Sequence, residues 1–345
     1  MTTTPLQAPF PYFGGKRKAA ETVWPAFGRV DNYVEPFAGS AAMLLAAPTD
    51  AARIETINDF DGFVANFWRA IAHDPDAVAH AADWPVNEVD LMARHSWLVR
   101  HRQPITEQLC ADPAWYDARS AGWWVWGACN WIGSGWCSGD GPWVHDGTRL
   151  VCKEGDAGQG INRQLPQLGG GGRGINRKLP QLGGGGRGIN RKLPDSSTPR
   201  GEFIRAWMRE LHLRLRDVRV TCGDWGRVVK DSITTSNGLT AVFLDPPYTK
   251  GDMDYSAGGM GQGIADDVRQ WCAINGGNPQ LRIVLCGHAG EHDALLAQGW
   301  HTRTWTAGGG YARTDEAIAN RQSEILWCSP HCVPERGVVQ DLFAA

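Results

Sequence analysis

The sequence predicts a doubly wound α/β fold, an open and mostly parallel sheet with helices on both faces and one long inserted region. Three observations predict it. Short apolar runs alternate with helix-compatible segments at both ends of the chain, two of those runs stop abruptly in turns suited to a ligand, and the alternation fails between them. With 345 residues, 42% hydrophobic and 21% charged, the chain is long enough for about two domains and a sizeable core.

In the first part, Asn32–Pro36 reads as a strand entering the small-residue turn Phe37-Ala38-Gly39-Ser40, with a helix over Ala41–Ala47. Ile54–Asn58 reads as a second strand that ends at Asp59, and Gly62–Ala72 has helical periodicity. The last third resumes the pattern. Val218–Cys222, Ala241–Leu244, Arg282–Cys286 and Ser323–Cys328 read as strands, and Ile264–Ile274 and His292–Gln298 as helices. Residues 1–75 and 218–345 are therefore expected to form two parts of one domain, with 76–217 inserted between them.

The insert is unusual in composition. Residues 75–150 begin as helix and then become rich in Trp and Gly, with Trp123, Trp124, Trp126, Trp131, Trp136 and Trp143 close together. Indoles so placed supply either the core of a small insert or a platform for unstacked bases. Next, Gly160–Arg173 recurs as 174–187, with Lys178 in place of Gln164, and starts again at Gly188–Pro194. A four-glycine run in each copy costs too much chain entropy to order alone. Each copy still presents Ile-Asn-Arg-(Lys/Gln)-Leu-Pro, so the repeat reads as a tethered DNA contact through Arg163, Arg177, Lys178, Arg191 and Lys192, as a tolerated loop expansion, or as a protein-partner contact. A helix is expected over Glu202–Arg216, with Phe203, Trp207, Leu211 and Leu215 as its core row. Arg205, Arg209, His212 and Arg216 form a cationic row on another face, available to phosphate.

Charge follows the same division. The net charge is −3, but residues 151–220 carry 14 Lys and Arg against 6 Asp and Glu. The basic residues are mostly Arg, which suits bidentate contacts to phosphate or guanine. No apolar run approaches the roughly 18 to 20 residues of a membrane span, and Met1 to Lys18 lacks the pattern of a secretion signal. A cytoplasmic location, no membrane and a monomer are the expectation. Nine scattered cysteines read as mostly buried thiols, and Cys328-Ser-Pro-His331-Cys332 lacks the second pair that a structural metal needs, so no metal is expected.

The most informative residues are Asp245-Pro246-Pro247-Tyr248, directly after an apolar strand. They place a carboxylate and a proline-locked carbonyl at the rim where open α/β sheets bind ligands. Asp245 and the Pro246 carbonyl would accept hydrogen bonds from both N–H groups of a planar amine, freeing its lone pair, while Tyr248 stacks on the ring. A base presenting that amine must first leave the duplex. The methyl donor suited to such an amine is S-adenosylmethionine, whose sulfonium is already activated. Val34-Glu35-Pro36-Phe37-Ala38-Gly39-Ser40 reads as the turn that cradles the methionine portion, and Asp59 as an acceptor for ribose hydroxyls. The glycine-rich stretch Gly251–Gly263, with Asp252, Asp254 and Tyr255, reads as a lid over the base or as a long loop.

Together with Pro11-Tyr12-Phe13-Gly14-Gly15-Lys16, Asn58-Asp59 and Cys222-Gly223-Asp224-Trp225, these motifs resemble the Dam-type family of DNA adenine methyltransferases, in the alpha group and as a phage-like member. The resemblance covers about 1–75 and 218–330. It implies a doubly wound Rossmann-like S-adenosylmethionine-dependent methyltransferase fold with an inserted DNA-recognition region, acting on double-stranded DNA by base flipping. It also implies catalytic Asp245, Pro246 and Tyr248, and a cofactor site at Tyr12, Gly14, Gly15, Lys16, Glu35, Pro36, Phe37, Ala38, Gly39, Asp59, Asp224 and Trp225. In that pattern Tyr12 lies near the cofactor adenine, Lys16 near cofactor or DNA, and Asp224 on the adenine edge. Ala41 stands where the family often has a second glycine, and the insert does not carry over a target sequence. Methylation of RNA or cytosine amines, and a catalytically silent DNA-binding relative, remain open on the residues alone.

Overall fold

The computed structural model describes residues 6–12, 16–49, 52–131, 135–137, 143–145, 150–152, 200–247, 261–305 and 324–335. The repeat at 160–194, the stretch 251–260 and residues Phe13, Gly14, Gly15 and Tyr248 lie outside them.

The chain begins with α1 (Ala20–Phe27), β1 (Asn32–Glu35), α2 (Ala42–Leu45), β2 (Ile54–Asp59) and α3 (Gly62–His73). Three more helices follow, α4 (Pro75–Ala82), α5 (Glu88–Ala111) and α6 (Ala118–Asn130), then a small antiparallel pair, β3 (Trp143–His145) and β4 (Leu150–Cys152). The alternation resumes with α7 (Arg200–Leu215), β5 (Arg219–Cys222), β6 (Thr240–Leu244), α8 (Gly261–Asn275), β7 (Leu281–His288), β8 (His301–Thr304) and β9 (Glu324–Cys328).

Seven strands form one sheet in the order β5-β2-β1-β6-β7-β9-β8. The first five are parallel, and β9 runs antiparallel between β7 and β8. From β1 the chain moves outward through β2 to β5, then returns to the other side of β1 with β6. The C-terminal ends of β1 and β6 thus flank the point where strand order reverses, which is where such sheets open a crevice for ligands. All four residues of β1 and all five of β6 are buried, as expected of central parallel strands covered on both faces. This is a Rossmann-like α/β architecture.

Local chemistry explains the helix starts. Asp61 caps α3 by accepting from the Phe63 amide at 2.8 Å, and Asp74 caps α4 ahead of Pro75. Asn87 and Asp117 cap α5 and α6 in the same way. The segment expected as a helix over His292–Gln298 is a 3-10 turn, Asp293–Gln298, closed by Gly299 in the left-handed region. The edge strand β8 and the proline-containing helix α1 were not expected.

The helices of the insert share the core of the first part. Helix α4 packs on α6 and α7, and α3 packs on α5, α6 and α7. Trp124 and Trp126 are buried, and Phe10 meets Trp124, Phe67 and Trp68 at centroid distances of 4.8, 5.2 and 5.8 Å. The Arg94 guanidinium lies over the rings of Trp84, Trp123 and Trp126, nearest Trp126 at 4.4 Å. Of the alternatives for these indoles, packing accounts for Trp124 and Trp126. On α7, Ile204, Trp207, Met208, Leu211 and Leu215 are buried, so the core face includes three of the four expected residues and shifts towards Ile204 and Met208, with Phe203 only half-buried. Cys129, Cys137, Cys222, Cys272, Cys286, Cys328 and Cys332 are buried and Cys110 is exposed. No helix among the described residues is long and apolar enough to cross a membrane.

Trp126 tests the weight of this helical packing. It is fully buried and donates its indole N–H to the Trp84 carbonyl at 2.9 Å. Trp126→Ala is expected to destabilise the fold by about 3–5 kcal/mol in denaturant unfolding; a change below about 1 kcal/mol would show that the indole is not core.

Candidate active site

The site lies at the C-terminal rim of the sheet, where the loops after β1, β2, β5 and β6 converge. Asn58 and Asp59, the last two residues of β2, tie the loops together. The Asn58 amide donates to the carbonyls of Pro36 at 3.0 Å and Gly223 at 2.9 Å, while its carbonyl oxygen accepts from Thr221. Asp59 spreads its carboxylate over two turns, with one oxygen accepting from the Gly39 amide and the other from the Asp61 amide, both at 2.8 Å. Its backbone carbonyl accepts from the Gly223 amide at 3.0 Å. Burial pushes the Asp59 carboxyl up to about 7, with the nearby Asp61 charge adding to it and the backbone donors opposing.

The turn held by Asp59 is tight. Gly39 adopts φ +47, and a Cβ there would lie 2.3 Å from the Tyr12 ring. Glycine is needed both for the backbone and for the approach of Tyr12. Ala41 also sits in the left-handed region at φ 48, where the methyl group is tolerated at some conformational cost. The second glycine expected at this position is thus replaced without loss of the glycine-like backbone. The Trp68 indole donates to the Gly39 carbonyl at 2.8 Å and closes the turn from below. On the other side, Phe37 faces Trp225 at a centroid distance of 6.0 Å.

Glu35 and Asp245 end the two strands at the reversal of strand order. Glu35 is fully enclosed; one carboxylate oxygen accepts from the Tyr33 hydroxyl at 2.9 Å and the Leu44 amide at 3.2 Å. Burial pushes its carboxyl up to about 8, and the charge of Asp245 adds to that effect. Asp245 follows β6 directly, and Pro246 beside it is buried. The Lys16 ammonium lies 3.2 Å from Asp245 Oδ1 and 3.7 Å from Glu324 Oε1, and Lys16 itself is only 5% exposed. Burial alone would lower the Lys16 pKa, but the neighbouring negative charges, Asp245 foremost, outweigh it and hold the ammonium protonated.

The residues expected from sequence fall into three groups. Tyr12, Pro36, Ala38, Gly39 and Asp59 meet in one turn, and Lys16 pairs with Asp245 beside it, with Glu35 enclosed at the end of β1 and bonded to Tyr33 and Leu44. Phe37 and Trp225 form a pair, whereas Asp224 is exposed and accepts from the Gly226 amide at 2.9 Å. On α7, Arg205 and Arg209 are exposed, but Arg209 makes a bidentate pair with Asp76 at 2.8 and 2.9 Å. Gly14, Gly15, Tyr248, Arg163, Arg177, Lys178, Arg191 and Lys192 lie outside the described residues. Among the described residues no group of three or more His, Cys, Asp or Glu could hold a metal ion, and His331 instead contacts the Gly277 carbonyl at 3.0 Å.

Sequence reading missed two contributors. Asn58 was recognised in its motif, but its bracing of two loops was not. Glu324 carried one signal, a charged residue at the head of an otherwise apolar strand, Glu324–Cys328.

The sheet order, the convergent loops and the carboxylate after β6 define a Rossmann-like α/β site at the reversal of strand order. More particularly, residues 12–102 match the family model of D12 class N6 adenine-specific DNA methyltransferase. The match takes in the first part of the chain and is a similarity to the Dam-like adenine methyltransferases. No curated protein matches the chain.

Glu35 generates a pH test. Its folded pKa of about 8 exceeds the ordinary value of 4.5, so the folded state binds the extra proton between those values. The stability it contributes is full below about 4.5 and is lost as pH rises through about 8. Relative to Glu35→Gln, the unaltered protein should therefore lose unfolding free energy between pH 5 and 8, by at most about 1.4 kcal/mol per pH unit. A pH-independent difference would contradict the assignment.

Proposed function

We propose that the protein transfers a methyl group from S-adenosylmethionine to the exocyclic amine of an adenine flipped out of double-stranded DNA. The observation that carries this reading is the position of Asp245, a carboxylate at the end of a buried central strand, directly beside a buried lysine. The residues fit the cofactor. A turn with no room for a side chain at Gly39, the flanking Phe37 and Trp225 rings, and a set of carboxylates suit an amino-acid nucleoside bearing a positive charge. When bound, S-adenosylmethionine supplies a methyl group already activated on its sulfonium.

The chain's own residues then do the rest. Tyr12, the Pro36–Gly39 turn and Asp59 hold the cofactor, with Gly14, Gly15, Glu35, Asp224 and Trp225 completing the site. Asp245 accepts one N–H of the target amine and the Pro246 carbonyl the other, so that the nitrogen lone pair is drawn out of the ring and aimed at the methyl carbon. Tyr248 stacks on the extruded base. Arg205 and Arg209 on α7, with the basic residues of the repeat, contact DNA phosphates; Arg209 would exchange Asp76 for phosphate.

Two experiments follow. Asp245→Asn is expected to lower transfer of labelled methyl groups into adenine-unmethylated genomic DNA by about 10²–10³, while cofactor affinity changes little; full activity would remove Asp245 from catalysis. Replacing 160–194 by a short Gly-Ser linker should weaken DNA binding and flatten its salt dependence. Unchanged affinity and slope would take the repeat out of the DNA contact.

A further inference from the structure

Asp59 has both carboxylate oxygens engaged before any ligand arrives, one on the Gly39 amide and the other on the Asp61 amide. The hydroxyls of a ribose can therefore be held only through the lone pairs that remain, and both oxygens offer one only while the carboxyl is ionised. Asp61, two residues on, works against that state by placing a second carboxylate close to the first. Whatever offsets the Asp61 charge thus bears on the cofactor.

The group that does so comes from the inserted helices. Arg102, within α5, places one guanidinium nitrogen 3.3 Å from Asp61 Oδ2. The pair is partly covered, at 24% and 30% exposure, so water screens it incompletely. Two more contacts orient the same guanidinium: it lies 4.9 Å over the Phe63 ring, and its other terminal nitrogen donates to the Cys137 carbonyl at 2.8 Å. Gly62 lets α5 come this close, since a Cβ there would collide with the Thr106 side chain, one turn along α5 from Arg102. Asp61 Oδ1 meanwhile caps α3 and its amide reaches Asp59, which fixes Asp61 between its neighbours. Also around Asp59 are Cys222 on β5, with Cys110 of α5 and Arg69 of α3 beside it, Arg227 at the Cys222 carbonyl, and Tyr12 across Gly39. Burial pushes the Cys222 thiol up to about 12, so it adds no charge near neutral pH.

We propose that Arg102 is a positioning residue for the cofactor, acting through Asp61 to keep Asp59 an anion that can accept from the ribose hydroxyls. The inference rests on the cofactor role proposed for Asp59. Arg102 acts on Asp61, not on the cofactor. With the Asp59 carboxyl pushed up to about 7, a neighbouring charge decides how much of it is ionised near neutral pH.

The test is calorimetric binding of S-adenosylhomocysteine to the full chain across this range. The unaltered protein should bind well above about pH 7 and progressively more weakly below it, as Asp59 takes up a proton. Arg102→Gln keeps an N–H donor for the Cys137 carbonyl and removes the charge. Its midpoint should rise by about one pH unit, weakening binding roughly five- to tenfold near about pH 6.5 and less than about twofold near about pH 8.5. Arg102→Lys, which keeps the charge, should stay near the original midpoint. Asp61→Asn, which retains a capping oxygen for α3, should move the midpoint down, and Arg102→Gln added to it should shift it by less than about 0.3 unit. A pH-independent loss in Arg102→Gln, an equal shift in Arg102→Lys, the same shift with and without Asp61→Asn, or no shift at all would each overturn the proposal. Asp59→Asn separates the two readings. Unchanged affinity and pH profile in that variant defeat the cofactor role of Asp59, whereas weak binding with a flat profile, beside an unshifted Arg102→Gln, defeats only the role of Arg102.

Discussion

A single buried cation organises the chemistry of this site. Lys16 brings the N-terminal motif to the end of β6, where Asp245 waits, and Glu324 approaches from β9. Three distant parts of the chain are thereby joined at one charge. Leaving any of these groups buried and unpaired would be strongly unfavourable, so the ion pairs constrain how the loops at the rim can sit. They also concentrate negative charge where a sulfonium and an amine are proposed to meet.

The neutral framework around that charge is equally specific. Asn58 and Asp59 project from one strand end and bind the loops on either side, so the turn at Gly39 and the turn at Gly223 cannot move independently. Tyr12 closes over Gly39, and Trp68 holds the turn's carbonyl from the core. The result is a preorganised cradle in which few groups need to reorient on ligand binding. The insert supports this cradle from behind, since α3, which carries Trp68, packs against α5, α6 and α7.

Much of the fold was legible because central parallel strands leave near-continuous apolar runs. Thr240–Leu244 stands out for that reason and is followed directly by Asp245, while the shorter β1, Asn32–Glu35, ends in Glu35 at the site. Strand β8, His-Thr-Arg-Thr, was not legible, because an edge strand with one buried position carries no alternating signal. Helix α1 was hidden by Pro25, which ordinarily argues against a helix interior. The contacts of Lys16 were beyond reach for another reason. A motif shows that a lysine belongs near the site, but only the sheet order brings Glu324 to it. Likewise, the cationic row on α7 was visible as a pattern, while the Asp76 partner of Arg209 lies on α4 and was not.

The proposed chemistry requires this arrangement to grip and methylate adenine. The most direct measurement is single-molecule sequencing of modified bases in DNA from cells that otherwise lack adenine methylation and express the chain. N6-methyladenine confined to one recurring sequence context is the result expected; DNA without it, or with the methyl group on cytosine, would contradict the account.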